Sequence, residues 1–362
     1  MRIAQVSPLF ESVPPRAYGG TERVVSYLTE ELVARGHSVT LFASGDSETR
    51  AHLVPAAPRS LRLEGGAQDA LALHMGMLLD AYARAREFDV IHCHTDYIGL
   101  PFTPRSKVPT VLTLHGRLDI PEVHPVYRAF PDVALVSISD AQRHPLAGVR
   151  WAATVHHGLP PDLYRFHPGG GKHLLFLGRI SPEKRPDIAI RVAIRAGVPL
   201  RIAAKVDKVD QPYFERVVRP MLDHPLVEWL GEVDDGEKER LLGEAIALMF
   251  PIDWPEPFGM VMIESLACGT PVIARRRGSV PEVIVDGHTG FLCETEDEMV
   301  AAVARVAEIP RRSCRATFEA HFTAGRMAEG YLRVYGREAD RALRGKTRSL
   351  AVREIVPVVG TA

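Results

Sequence analysis

Cysteine is scarce in this sequence. Its 362 residues include only Cys93, Cys268, Cys293 and Cys314, far apart and without paired spacing. That pattern excludes a disulfide framework and a zinc ribbon, and reduced thiols point to a cytoplasmic chain. No run of about 18 apolar residues occurs, so no transmembrane segment is expected. The opening MRIAQVSPLF turns polar too soon to read as a signal peptide. A surplus of charge is also missing. The formal net charge is −1, which argues against a nucleic-acid binder, since such proteins carry a basic excess. Internal repeats and low-complexity blocks are absent too.

What is present is an ordinary globular composition, 46% hydrophobic and 25% charged. The length suits two domains better than one core. Short apolar runs alternate with helical patterns. RIAQVS reads as a first strand and HSVTLFAS as the next. Between them, TERVVSYLTEELVARG places Val24, Val25, Leu28, Leu32 and Val33 on one helical stripe. Thr21 is the expected N-cap and Gly36 the expected stop. DALALHMGMLLDAYARAREF is a further helix. DVIHCH, TVLTLHG, VALVSIS and WAATVHHG are further strands. These are near-continuous apolar runs, as expected when helices cover both sheet faces.

The pattern restarts after RFHPGGGKH, a glycine- and proline-rich linker. HLLFLGRI, LRIAAKV, VEWLGEV, AIALMFP and TPVIAR are strands, with helices near 186–196, 213–222 and 236–244. CRATFEAHFT reads as a break before a last helix, AGRMAEGYLRVYGREADRAL. The remaining tail is mixed and expected to be loosely held. The fold class is therefore α/β, with two Rossmann-like doubly wound domains facing an interdomain cleft. Ligands of such sheets bind beyond the carboxyl ends of the strands.

The stretch PEPFGMVMIE carries Glu256 and Glu264 around seven residues without charge or polar side chain. Pro257 disfavours helical geometry at Glu256. A helix is expected from about Phe258 to Cys268, with Gly269 as its stop. The first-turn N–H groups of Phe258, Gly259, Met260 and Val261 suit phosphate or sugar oxygens. Glu264, inside an apolar helix, needs a partner: a ligand's hydroxyls, or a buried ion pair with a distant Arg or Lys. Eight residues of helix span roughly 12 Å. Glycosidase carboxyls lie about 5–9.5 Å apart, so two separate ligand contacts fit better than a hydrolytic pair.

GRISPEKRP puts Arg179 and Lys184 on a strand–loop–helix edge. Two cations there suit a pyrophosphate, or form a solvated basic loop paired with Glu183. AYGGTERVV places Gly20 directly before a helix but lacks the full dinucleotide motif. TLHG sets His115 at the carboxyl end of a buried strand, either as a site residue or as a satisfied loop histidine. His92 and His94 share a strand face, but no third residue completes a metal set, and no metal is expected.

Taken together, GGTERVVSYLTEELVARGHSVTLFA, TLHG, GRISPEK, LGEV and PEPFGMVMIESLACGTPVIA…GSVPEVIVDGHTGFL resemble glycosyltransferase family 4, retaining enzymes of the GT-B fold. The resemblance spans about Arg2 to Tyr335. It implies an N-terminal Rossmann-like acceptor domain over 1–168, completed by a C-terminal helix at about 325–342. A nucleotide-sugar donor domain over 169–324 and a tail over 343–362 follow. It also implies residue roles. Glu264 holds the donor's ribose hydroxyls. Arg179 and Lys184 bind the diphosphate, with backbone N–H from Gly20. Glu256 and the N–H groups of Phe258, Gly259 and Met260 hold the sugar, beside His115. Glu256 and His115 form the catalytic part of the site, and the backbone from Gly231 to Val233 meets the base.

The implied reaction moves a hexosyl unit from a nucleotide sugar, a UDP-sugar above all, to an acceptor hydroxyl, with no cofactor or metal. The acceptor is a small molecule, a glycan or a lipid-linked molecule. Alternatives are a GT-B relative such as a nucleotide-sugar epimerase, and a non-catalytic sugar-nucleotide binder. Two stretches depart from the family pattern. His156–His157–Gly158 stands where Asn-Gly is common, and Ala204–Lys205 where Ala-Gly is frequent. Lys205 would add a third cation.

Overall fold

The computed structural model describes residues 1–16, 19–62 and 68–354. Two parallel sheets organise them. The first comprises β1 (Arg2–Val6), β2 (Ser38–Ser44), β3 (His52–Ala57), β4 (Val90–Cys93), β5 (Thr110–Thr113), β6 (Ala134–Ser137) and β7 (Trp151–Thr154), in the order β3-β2-β1-β4-β5-β6-β7. The second comprises β8 (His173–Arg179), β9 (Leu200–Lys205), β10 (Val227–Gly231), β11 (Ala245–Phe250), β12 (Val272–Arg275) and β13 (Gly290–Cys293), in the order β10-β9-β8-β11-β12-β13. Each order reverses next to its first strand, between β1 and β4 and between β8 and β11. These are the two points where a crevice opens beyond the carboxyl ends.

The strands formed where apolar runs predict them, because both faces are covered. All four residues of β4 and of β6 are buried, which a sheet achieves only with helices on both sides. Two elements differ from the sequence reading. β3 lies inside a stretch read as loop. It is a half-exposed edge strand that contains Pro55, a residue that edges tolerate and central strands do not. CRATFEAHFT was expected to break; it forms most of a helix, Arg311–His321, that buries Cys314 and Phe318. Those residues lie four apart, which is the spacing of one helical face.

Helix ends also shift. The first helix spans Gly20–Ala34 with Gly19, not Thr21, at its N-cap. Gly36 does take the left-handed geometry of a stop, at φ 82°. The helix expected from Phe258 to Cys268 spans Met260–Ala267. Gly259 sits at its N-cap with φ 78°, so Phe258 and Gly259 belong to the entering loop. The last helix runs from Ala324 to Glu354. The described part of the tail is thus helical, and residues 355–362 lie outside the described residues.

The chain passes between the two sheets twice, and the crossings touch. The Leu159 N–H donates to Phe322 O at 2.9 Å, and the Ala324 N–H donates to Leu159 O at 2.7 Å. A Cβ on Gly158 would lie 2.2 Å from Thr323 O, so only glycine fits there. Beside the crossing, Glu282 accepts the N–H groups of Asp140 and Ala141, both at 2.8 Å, and faces His156 Nε2 at 3.1 Å. The last helix then returns to the first sheet, where Tyr331 and Tyr335 are fully buried.

Candidate active site

A cleft of about 1200 Å³ lies between the carboxyl ends of the two sheets. All ten residues singled out in the sequence line it: Gly20 and His115 from the first half, and Arg179, Lys184, Glu256, Phe258, Gly259, Met260, Val261 and Glu264 from the second. Lys205 lines it too, as do Glu232 and Val233 of the stretch expected at the base, but not Gly231.

Glu256 is buried and held on several sides. Its carboxylate pairs with the Lys184 ammonium and accepts Trp254 Nε1–H at 3.1 Å. The Lys184 ammonium also lies 5.1 Å from the Trp254 ring centre and 5.5 Å from that of Phe250. The backbone of Glu256 is fixed by Ser279, whose N–H donates to Glu256 O at 3.0 Å. Gly278, at φ 51°, packs so closely that a Cβ would lie 2.4 Å from both Glu256 N and Glu256 O. The basic-loop alternative paired both cations with Glu183; Arg179 does face Glu183, at 3.9 Å, but Lys184 pairs with Glu256, 72 residues away.

Arg179 faces three carboxylates: Asp210 at 3.2 Å, Asp207 at 3.6 Å and Glu183 at 3.9 Å. Lys205 bonds Asp207 at 3.1 Å. Three cations at and just after the ends of β8 and β9 thus line one wall, each paired with a carboxylate. Glu264 is 5% exposed and bonds Lys238 at 3.1 Å. Of the two sequence alternatives, the buried ionic partner is present, and Glu264 also lines the cleft. The partner is a residue that the sequence reading did not single out. Nothing marked it, because Lys238 sits in an acidic, ordinary-looking helix start, DGEKER.

On the opposite wall, His115 joins a buried polar chain. Its Nε2 lies 2.9 Å from His94 Nδ1, and His94 Nε2 lies 2.8 Å from Gln5 Oε1. Gln5 Nε2–H donates to Tyr335 OH at 3.2 Å, and that oxygen lies 2.7 Å from His92 Nδ1. His92 Nε2 is 2.7 Å from Thr113 Oγ1, which donates to Tyr331 OH at 2.9 Å. Burial pushes all these imidazoles down, His115 to about 3. With every ring neutral, one donor set makes every link: His115 Nε2–H to His94, His94 Nε2–H to Gln5, and His92 Nε2–H to Thr113, which leaves His115 Nδ1 without a partner among the described residues. His92 and His94 are therefore spent on hydrogen bonds. Among the described residues no group of three or more His, Cys, Asp or Glu is arranged to hold a metal ion.

His157, from the HHG departure, stacks on His115 with ring centres 5.2 Å apart and planes at 18°. Asp96 also lines the cleft. It adopts φ 48°, and burial raises its carboxyl to about 6. Glu22, in the first turn after Gly20, is raised to about 7 by burial. Neither acid stood out in the sequence, because a single Asp or Glu without a partner pattern is unremarkable.

Comparison with known proteins decides the family. Residues 165–319 match the family described as Glycosyl transferases group 1, and residues 18–144 match Glycosyltransferase Family 4. The chain is a GT-B glycosyltransferase. It is 27% identical to a glycogen synthase of Mycobacterium tuberculosis, over 87% of this chain and 88% of that protein. It is 28% identical to a D-inositol 3-phosphate glycosyltransferase of Streptomyces scabiei, over 84% of this chain and 81% of that one. Among solved structures it is similar to AviGT4, a glycosyltransferase involved in avilamycin A biosynthesis. There the TM-score is 0.72 at 25% identity, covering 94% of this chain and 98% of that one. In this glycosyltransferase the two matched segments supply most of the lining of the cleft. No helix among the described residues is long and apolar enough to cross a membrane.

Proposed function

We propose that this glycosyltransferase moves a hexosyl unit from a UDP-sugar to an acceptor hydroxyl with retention at the anomeric carbon and without a metal. The observation that carries the reading is the placement of Glu256 and Glu264 in one cleft with Arg179, Lys184 and Lys205. Glu264 takes the ribose hydroxyls and the three cations take the diphosphate. The sugar meets Glu256 and the N–H groups at the start of the Met260–Ala267 helix, whose positive end suits hydroxyl oxygens.

The chemistry follows from these positions. The bond from the anomeric carbon to the diphosphate oxygen breaks, and charge grows on that oxygen as it leaves. Lys184 and Arg179 stabilise the charge, the kind of preorganised stabilisation that dominates such steps. The acceptor hydroxyl attacks from the same face, and its proton passes to the departing phosphate. Glu256 is engaged by Lys184 and Trp254, which suits it to position the sugar rather than to act as a free nucleophile. With its Nε2–H given to His94, neutral His115 offers the sugar Nδ1 as an acceptor, not charge.

Glu256→Ala should abolish transfer while leaving the affinity for UDP within a few-fold. Full activity in that variant overturns the assignment. Analysis of the product anomer by NMR checks the stereochemistry, and an inverted product refutes retention.

A further inference from the structure

The Lys238–Glu264 pair does not end at Lys238. The Lys238 ammonium also bonds Asp235 Oδ1 at 3.2 Å. The other oxygen of that carboxylate, Oδ2, accepts from Arg23 at 2.7 Å. Lys238 and Asp235 stand in the Asp235–Glu244 helix of the second half, and Arg23 in the Gly20–Ala34 helix of the first. Four charges of alternating sign therefore run from the buried floor of the donor wall across the cleft to the helix that begins at Gly20.

The chain is well ordered chemically. The side chains of Glu264, Lys238 and Arg23 are 7%, 15% and 12% exposed, while Asp235 is 46% exposed. Bonds of this kind are little screened where they are sheltered. Burial works against the Lys238 charge, and Glu264 and Asp235 more than offset it, so the ammonium holds its proton more tightly than usual. Lys238 takes Glu264 Oε1. Glu264 lines the cleft. Lys238 thus turns the carboxylate by holding Oε1, so that the other oxygen can meet a ligand hydroxyl.

We propose that Lys238 is a positioning residue for the donor's ribose, and that Asp235 and Arg23 carry the state of that site to the first half of the molecule. The proposal rests on the donor reading above, in which Glu264 meets ribose. A ribose hydroxyl that donates to the other oxygen of Glu264 shares the carboxylate with Lys238 and weakens the Lys238 bond. Lys238 shares its charge between Glu264 and Asp235, so the strength of the Asp235–Arg23 bond across the cleft changes with it.

Calorimetric titration with UDP and with inorganic pyrophosphate tests the proposal on the full chain. Lys238→Met should weaken UDP at least tenfold and leave pyrophosphate within twofold, and Lys238→Arg should recover most of the UDP affinity. Equal loss of both probes, or of neither, overturns the positioning role, since a merely structural lysine affects them alike. For the link, Asp235→Asn and Arg23→Gln should each weaken UDP about three- to tenfold. The double variant should be no weaker than the worse single. Independent, multiplying effects overturn the link. Wild-type protein that binds pyrophosphate but none of UDP, ADP and GDP instead overturns the donor reading on which the proposal stands.

Discussion

Glu256 shows how a single side chain is placed by residues far from it in sequence. Its backbone is backed by Gly278, where any Cβ would lie 2.4 Å from two atoms of Glu256. Gly278→Ala should cut turnover at least tenfold, because Glu256 must shift and positioning errors of this size are costly. Gly36→Ala is the matching control. Its φ of 82° costs an alanine about 1 kcal/mol, but nothing lies within 4 Å of the added carbon. It should lower the urea midpoint and leave turnover unchanged. The residue scale also carries a pH prediction. Burial, first of all, raises Glu22 from 4.5 to about 7 in the fold, beside Glu11 and Arg62. Between those values the native state binds more protons than the unfolded chain, so stability falls as pH rises from about 4.5 to about 7. Glu22→Gln should flatten that limb and stabilise the protein at pH 8, by on the order of 2–3 kcal/mol at most. Urea unfolding at pH 5 and pH 8 measures it. The acids and cations of PEPFGMVMIE and GRISPEKRP were legible in sequence because their spacing is local. Their partners were not: Lys184 to Glu256 and Lys238 to Glu264 are long-range pairs, and a linear pattern does not encode them.

Elements were legible where their apolar period was clean. The central strands and the Pro186–Ala196 helix have the bounds their patterns imply. The failures have physical reasons. β3 is a half-exposed edge with a proline, so its alternation is weak. The Arg311–His321 helix is mostly charged outside and shows only two buried residues, too few to stand out from a break. The start of the Met260–Ala267 helix moved because Gly259 turns left-handed, and that choice is made by tertiary packing. The last helix has a testable role. Tyr335 OH links Gln5 to His92, and through Gln5 reaches His94 and His115. Tyr335→Phe leaves a buried acceptor on His92 without its donor, which costs about 1–3 kcal/mol. Thermal unfolding should show that loss. Turnover should fall as well, because His115 loses part of the chain that orients it.

At the scale of the whole molecule, two sheets with the same strand progression face each other, and each opens its switch point into one cleft. That much was legible from two runs of alternating strands and helices around a glycine-rich linker. How the halves are joined was not. The pairing of Leu159 with Phe322 and Ala324, and the grip of Glu282 on Asp140 and Ala141, bring together residues more than 140 positions apart. The account's central claim is that this cleft holds a nucleoside diphosphate sugar with its ribose on Glu264. Titration calorimetry of UDP, with ADP and GDP alongside, against the wild-type protein and Glu264→Gln tests it most directly. The account predicts that UDP binds the wild type and binds the variant at least tenfold more weakly. Failure of all three nucleotides to bind, or equal binding by the variant, would contradict it.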